Sequence, residues 1–277
     1  MGPRAGNRTV AVVVPQPRDE ITSDEQISLR HLDRYLSAFD RYVITPKRLK
    51  HPLPSFERCV FPDRFFGSRT AYSSLLLKTA FYERFADYRY ILIYQLDSLV
   101  FSDGLLDWCD RHFDFVGAPG LFVDWPRAPE IRNGGLSLRC VEAFVDVLRS
   151  RRYWMDPDEY WRRYWAARPR AVRFVNLPRR YVKRLQKFNG VQWETARWMR
   201  GTNTSRTYGS NEDFFWSLEA KRYVPTFEVA PVDAALRFAF ESNPEVCYEH
   251  NGRRLPFGCH GWARYGRSFW EPHLLGP

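Results

Sequence analysis

The sequence predicts an α/β protein, a three-layer α/β/α sandwich around a mostly parallel central sheet. Short, wholly apolar runs such as TVAVVV (9–14) and YILIY (90–94) lack the alternation of a strand with one wet face, so both their faces must be covered. Between such runs apolar residues recur at spacings of three and four, so strands alternate with amphipathic helices. With 277 residues, 44% hydrophobic and 17% aromatic, and no Gly/Ser linker or internal repeat, the chain reads as one domain spanning 1–277 with a large core.

The elements follow in order. Thr9–Val14 is a buried strand that ends at Pro15. Ser23 and Gln26 have capping-box spacing, and the helix they open carries Leu29, Leu32, Leu36 and Phe39 on one face. RYVITP (41–46) supplies the second strand, and a Pro-rich crossover follows. Thr70 caps a second helix with Tyr72, Leu75, Leu76, Thr79 and Ala80 in one stripe, and YILIYQLD (90–97) is the third strand. DFVGAP (114–119) reads as a strand, and a loop with Pro126 and Pro129 leads to a short strand, NGGLSLR (133–139). A helix over 140–152 comes next, then a basic, tryptophan-rich stretch (153–206) of poor periodicity that reads as an insertion over the sheet. Regular pattern returns with a helix over 209–223 capped by Ser210, a strand TFEVA (226–230), the segment ALRFAFE (235–241) and the closing LPFGCHGWARYG (255–266).

Composition narrows the class. The opening twenty residues hold only a short apolar run, too short for a signal-peptide core, and no run of eighteen apolar residues exists, so a cytoplasmic protein is expected. Five scattered cysteines without a C-x-x-C pair support neither a disulfide framework nor a zinc ribbon. The formal net charge is +10, with the excess between Arg139 and Arg206 among aromatic residues. Such a surface suits phosphates of nucleic acid, lipid headgroups or a phosphorylated substrate, or is simply a solvated face.

Four features carry candidate chemistry. Gln95-x-Asp97 ends an apolar strand, and ligands of open parallel sheets gather at strand carboxyl ends, so Asp97 is a ligand or the cap of the next turn. In Asn133-Gly134-Gly135 the missing side chains admit a close ligand or form a tight turn. Asn211-Glu212-Asp213 begins a helix, where one acid suffices for the dipole and cap while the second is free to act as a general base. His260, in GCHGW, is a loop ligand or a core histidine. Asp97, His260 and diphosphate oxygens would together suit Mn²⁺ or Mg²⁺.

AYSSLLL (71–77), LIYQLDSLVF (92–101), DFVGAP (114–119), NGGLSLR (133–139), NEDFFWS (211–217) and LPFGCHGW (255–262) resemble, in order and spacing, a bacterial domain-of-unknown-function family of GT-A-fold glycosyltransferases. The resemblance implies a GT-A-like, Rossmann-like fold and a nucleotide-sugar donor. It matches Gln95-Leu96-Asp97 to the family's Asp-x-Asp metal motif, with only the last acid present, and makes Asp97 and His260 the metal ligands. It implies that Glu212-Asp213 holds the catalytic base, Asp213, of an inverting transfer. Asn133, Gly134 and Gly135 would face the donor sugar and acceptor. Pro15, Gln16 and Arg18 would hold the nucleotide, with Tyr72 as a further candidate.

The reading that follows is a hexosyl- or pentosyltransferase acting on a glycan or lipid-linked glycan acceptor in surface polysaccharide assembly, in peripheral contact with an anionic membrane and without nucleic acid as partner. Two readings compete with it. One is a nucleic-acid-binding protein that uses the basic aromatic stretch for phosphates and base stacking. The other is a degenerate GT-A fold kept as a binding module, suggested by Gln95 in place of the first acid.

Overall fold

Alternate residues of the first strand face opposite sides of the sheet, and both sets are buried: Val10, Val12 and Val14 on one side, Ala11 and Val13 on the other. That double burial, worth roughly 1.5–3 kcal/mol for each fully covered valine, fixes this strand at the sheet's centre. In the computed structural model, which describes residues 8–120, 130, 132–200 and 211–276, the strands are β1 (Arg8–Pro15), β2 (Asp40–Pro46), β3 (Glu57–Phe61), β4 (Tyr88–Tyr94), β5 (Ser98–Val100), β6 (Phe115–Pro119), β7 (Arg132–Cys140), β8 (Ala239–Phe240) and β9 (Gly258–His260). Six of them form the central sheet in the order β3-β2-β1-β4-β7-β6. The first four run parallel, and β7 lies antiparallel to both β4 and β6. A small second sheet, β5-β9-β8, stands beyond the carboxyl end of β4.

Helices cover both faces. On the side of Val12 lie α1 (Ser23–Leu36), α4 (Leu105–Cys109) and α12 (Val232–Phe238), through Leu32, Leu36, Trp108 and Phe238. The other side holds α2 (Arg69–Leu75), α3 (Thr79–Glu83), α5 (Val141–Arg149), α10 (Glu212–Leu218) and α11 (Ala220–Tyr223), packed through Leu75, Phe81, Phe144, Trp216 and Tyr223. Four further helices, α6 (Pro157–Tyr164), α7 (Arg170–Arg184), α8 (Gln186–Asn189) and α9 (Val191–Met199), make up most of the basic stretch. The three-layer α/β/α expectation holds.

Several local expectations change. The capping box of α1 is Thr22 with Glu25, one residue before Ser23 and Gln26, because TSDEQ satisfies the motif in two registers. Ser68 rather than Thr70 accepts from the amide of Ala71, and the stripe expected from one helix is divided between α2 and α3. Strand β3 replaces part of the Pro-rich crossover, so YILIY belongs to the fourth strand, which ends at Tyr94. The helix expected over 140–152 is α5, nine residues long, and that over 209–223 is broken into α10 and α11; Ser210 lies outside the described residues, as do Pro126 and Pro129. TFEVA contributes only a single bridge, Val229 to Phe115. The two glycines of NGGLSLR sit inside the nine-residue β7 rather than in a tight turn.

Candidate active site

The carboxyl ends of β1 and β4 open onto a cleft of about 760 Å³. Parallel strands deliver their last residues to one edge, and here Pro15 and the turn Gln95-Leu96-Asp97 arrive together. The amide of Gln95 donates to the carbonyl of Gly135 at 2.9 Å, and the amide of Ser98 donates to the Gln95 carbonyl at 2.9 Å. These bonds tie the turn after β4 to the glycines of β7 and to the second sheet.

His260, the last residue of β9, is the hub of one end. Its Nδ1 lies 3.1 Å from Glu241 Oε1, and its Nε2 lies 3.2 Å from both Asp97 Oδ1 and Gln95 Oε1. All three partners are acceptors, so both ring nitrogens donate. Burial pushes the imidazole pKa down, but the carboxylates of Asp97 and Glu241 outweigh it and raise it to about 10. Burial likewise pushes Asp97 up, and the facing imidazole more than reverses this, leaving its carboxyl below the usual range. Glu241 also accepts from Asn133 Nδ2 at 2.7 Å, and Asn133 Oδ1 accepts from the Gly135 amide at 2.6 Å.

At the other end, α10 presents its two acids with different partners. Glu212 is buried and receives a bidentate contact from Arg139, 2.9 Å from Nη2 to Oε1 and 3.2 Å from Nη1 to Oε2. Arg139, with no exposed surface, also donates to the Gly134 carbonyl, Ser137 Oγ and Tyr82 Oη. Burial pushes the pKa of this guanidinium down, but Glu212 more than reverses it and holds the group firmly charged. Glu212 is thus a brace. Asp213 has no such cation: Oδ1 accepts from the Phe214 amide at 2.9 Å, and Oδ2 faces the Gly134 amide at 3.4 Å. Burial first, then the charges of Glu212 and Glu241, push its pKa to about 7.

The glycines join the two ends. A Cβ on Gly135 would lie 2.1 Å from His260 Nε2, and one on Gly134 would lie 2.6 Å from Glu212 Oε1 and 2.9 Å from Arg139 Nη2. A side chain at either position would have to displace these groups. Pro15, Arg18, Tyr72, Gln95, Asp97, Asn133, Gly134, Gly135, Glu212, Asp213 and His260 all line the cleft. Gln16 does not: it is buried, accepts from the Leu53 amide and donates to the carbonyls of Arg18 and His51, so it shapes the loop after β1. Arg18 is engaged by Glu25 at 2.8 Å. Sequence reasoning missed Glu241, Arg139, Arg69 and Arg264, the first two because a single acid in ALRFAFE and a single arginine in a basic chain give no pattern.

Asp97 and Gln95 offer a carboxylate and an amide oxygen on one wall, and His260 offers its Nε2 once an incoming cation displaces the proton there. Among the described residues no group of three His, Cys, Asp or Glu side chains is arranged to hold a metal. The donor set still fits a hard divalent ion that takes its remaining ligands from diphosphate and water, and the Glu241 contact fixes the ring as an outer partner of a metal ligand does.

A family model described as "Protein of unknown function (DUF5672)" matches residues 55–260. No curated protein sequence matches the chain. Among solved structures, the galactosyltransferase LgtC in complex with donor and acceptor sugar analogs superposes with a TM-score of 0.51 at 13% identity, over 96% of this chain and 97% of that one. GlyE of Streptococcus pneumoniae TIGR4 gives 0.48 at 10% identity, over 98% and 61%. A glycosyltransferase involved in the glycosylation of the major capsid of PBCV-1 gives 0.45 at 9%, over 96% and 98%. The fold is that of the GT-A glycosyltransferases.

Proposed function

The chain belongs to the family described as Protein of unknown function (DUF5672), and from that premise we propose that it is a glycosyltransferase moving a hexose or pentose from a nucleotide sugar to a hydroxyl of a glycan or glycoconjugate acceptor. One observation carries the reading: a single cleft holds the Asp97–His260 pair and Asp213 on either side of Asn133–Gly135.

The two ends suit the two halves of the reaction. The nucleotide lies along Pro15 and Arg18, with its diphosphate toward Asp97 and the cations Arg69 and Arg264. Mn²⁺ or Mg²⁺ held by Asp97 and His260, with Gln95 beside them, would supply positive charge for the leaving diphosphate. Asp213 takes the proton of the acceptor hydroxyl, whose oxygen bonds to the anomeric carbon as the bond to the diphosphate breaks and its electron pair leaves with the nucleotide. A carboxyl with a pKa near 7 is matched to that task. A base facing the anomeric carbon from the side opposite the diphosphate makes the transfer inverting. A lipid-linked glycan in surface polysaccharide assembly is the acceptor class in keeping with the basic helices.

The test is a thermal-shift panel of UDP-, GDP-, dTDP-, CMP- and ADP-sugars, with and without Mn²⁺, on wild type and Asp97→Asn. A ligand at a hundred times its Kd stabilises by ~2.7 kcal/mol. One nucleotide class is expected to raise the melting temperature with metal and to lose most of that effect in the variant. No shift with any sugar nucleotide sinks the reading, and a product retaining the donor's anomeric configuration sinks the inverting part.

A further inference from the structure

Helix α7 is amphipathic in the wrong sense for a helix packed on a protein. At about 100° per residue, Phe174, Val175, Pro178, Tyr181, Val182 and Leu185 fall in one arc of about 120°. That arc faces out: Phe174 is 78% exposed, Val175 75% and Tyr181 58%, and no residue of the helix is buried. The polar side faces in. Arg180 and Arg184 donate to Asp158 of α6 at 2.6 and 3.1 Å, and the Lys183 ammonium sits 5.0 Å from the ring centres of Tyr160 and Trp193. Contiguous exposed apolar surface of this kind marks a place where something docks.

The charge around it selects the occupant. Between Tyr160 and Trp193 the chain carries ten Lys and Arg and no acid, as large as the net charge of the whole protein. A second copy would bring the same cations against these and be repelled. A nucleic acid would need flat rings to stack on, whereas four of the six residues of the outward arc, Val175, Pro178, Val182 and Leu185, carry none, and exposed cations such as Arg168, Arg170 and Lys187 lie at the helix ends. An apolar arc bordered by Lys and Arg is what an interfacial helix presents to anionic headgroups. Among the described residues no helix is long and apolar enough to cross a membrane.

We infer that α7 is a monotopic membrane anchor, lying in the plane of an anionic phospholipid bilayer with Phe174, Val175, Tyr181 and Leu185 below the headgroups. This goes beyond the transferase reading and is tested without a donor. The full chain is sedimented with vesicles of phosphatidylcholine containing 30% phosphatidylglycerol, and with phosphatidylcholine alone. Binding at least tenfold stronger to the anionic vesicles, weakened by salt and reduced at least tenfold by Phe174→Ser/Val175→Ser, is expected. Tyr181→Ser/Leu185→Ser, from the same arc, should give the same loss, and both variants should melt like the wild type because the side chains are exposed. Equal binding to neutral vesicles, no binding, or binding indifferent to both pairs overturns the inference. So does a concentration-dependent dimer, or oligonucleotide binding, that the serine pairs abolish while vesicle binding persists.

Discussion

Replacing Asp213 by Asn should do two opposite things: stop turnover and strengthen the fold. The carboxyl rises from an ordinary 3.8 to about 7 in the folded protein, so the native state holds this proton more tightly than the unfolded chain does. Stability therefore falls as pH climbs from about 4 to 7, and the full penalty stands above 7. At 1.36 kcal/mol per tenfold change in proton affinity, that penalty is roughly 4 kcal/mol. Asn keeps an oxygen for the Phe214 amide but turns an NH₂ toward the Gly134 amide that Oδ2 faces at 3.4 Å, which returns part of the gain. With an unfolding entropy of about 2.1 cal/mol/K per residue, 277 residues give about 0.6 kcal/mol per degree, hence a melting temperature higher by about 3–6 °C at pH 8. The gain should vanish near pH 4. Turnover should fall by ~10²–10⁴, and wild-type kcat/KM should rise with pH through about 7 as the carboxylate forms. A variant that melts lower than wild type at pH 8 refutes the uncompensated burial of this carboxyl, and one that turns over normally refutes its proposed role as the base.

Glu212→Ala tests the brace: it strands the buried Arg139 guanidinium, and losing one partner of a buried pair costs about 3–5 kcal/mol, so differential scanning calorimetry should show the melt about 5–8 °C lower. Glu241→Gln leaves His260 Nδ1 without its carboxylate, and Mn²⁺ affinity measured by titration calorimetry should weaken by ~10–100-fold. Gly135→Ala puts a methyl 2.1 Å from His260 Nε2, and the displaced ring should abolish the metal-dependent part of the donor's thermal shift while nucleotide alone still binds.

Buried strands were the legible part of this sequence. TVAVVV, YILIY, DFVGAP and GGLSLR each carry a wholly apolar or small-residue run that only a sheet covered on both faces can use, and each became a strand. Strand β3 hid because it lies at the sheet's edge, where Glu57, Arg58 and Val60 face solvent and ERCVF loses the signature. The helices of 157–199 hid for a related reason. Pro178 stands inside α7, and alternating Arg with aromatics masks an apolar arc that no core demands. At the site, residue types that are hard to bury announced themselves: Asp97, Asp213 and His260 were all read as candidates and all line one cleft. Glu212 could not be told from Asp213, since the difference is the partner, Arg139, seventy-three residues away in the chain. The resemblance put Gln16 among the residues that would hold the nucleotide, but its amide is consumed by the backbone of the neighbouring loop.

Asn133, Gly134 and Gly135 act as a ruler shared by both halves of the cleft. One peptide unit is fitted against His260 and the next against Glu212 and Arg139, so the span from the cation end to the base is set by covalent geometry rather than by mobile loops. A ruler of that kind has a fixed length. On the proposed transfer, a change in which sugar or acceptor is accepted would come from other lining residues such as Arg18, Tyr72, Arg264 and Tyr265, while that span stays the same.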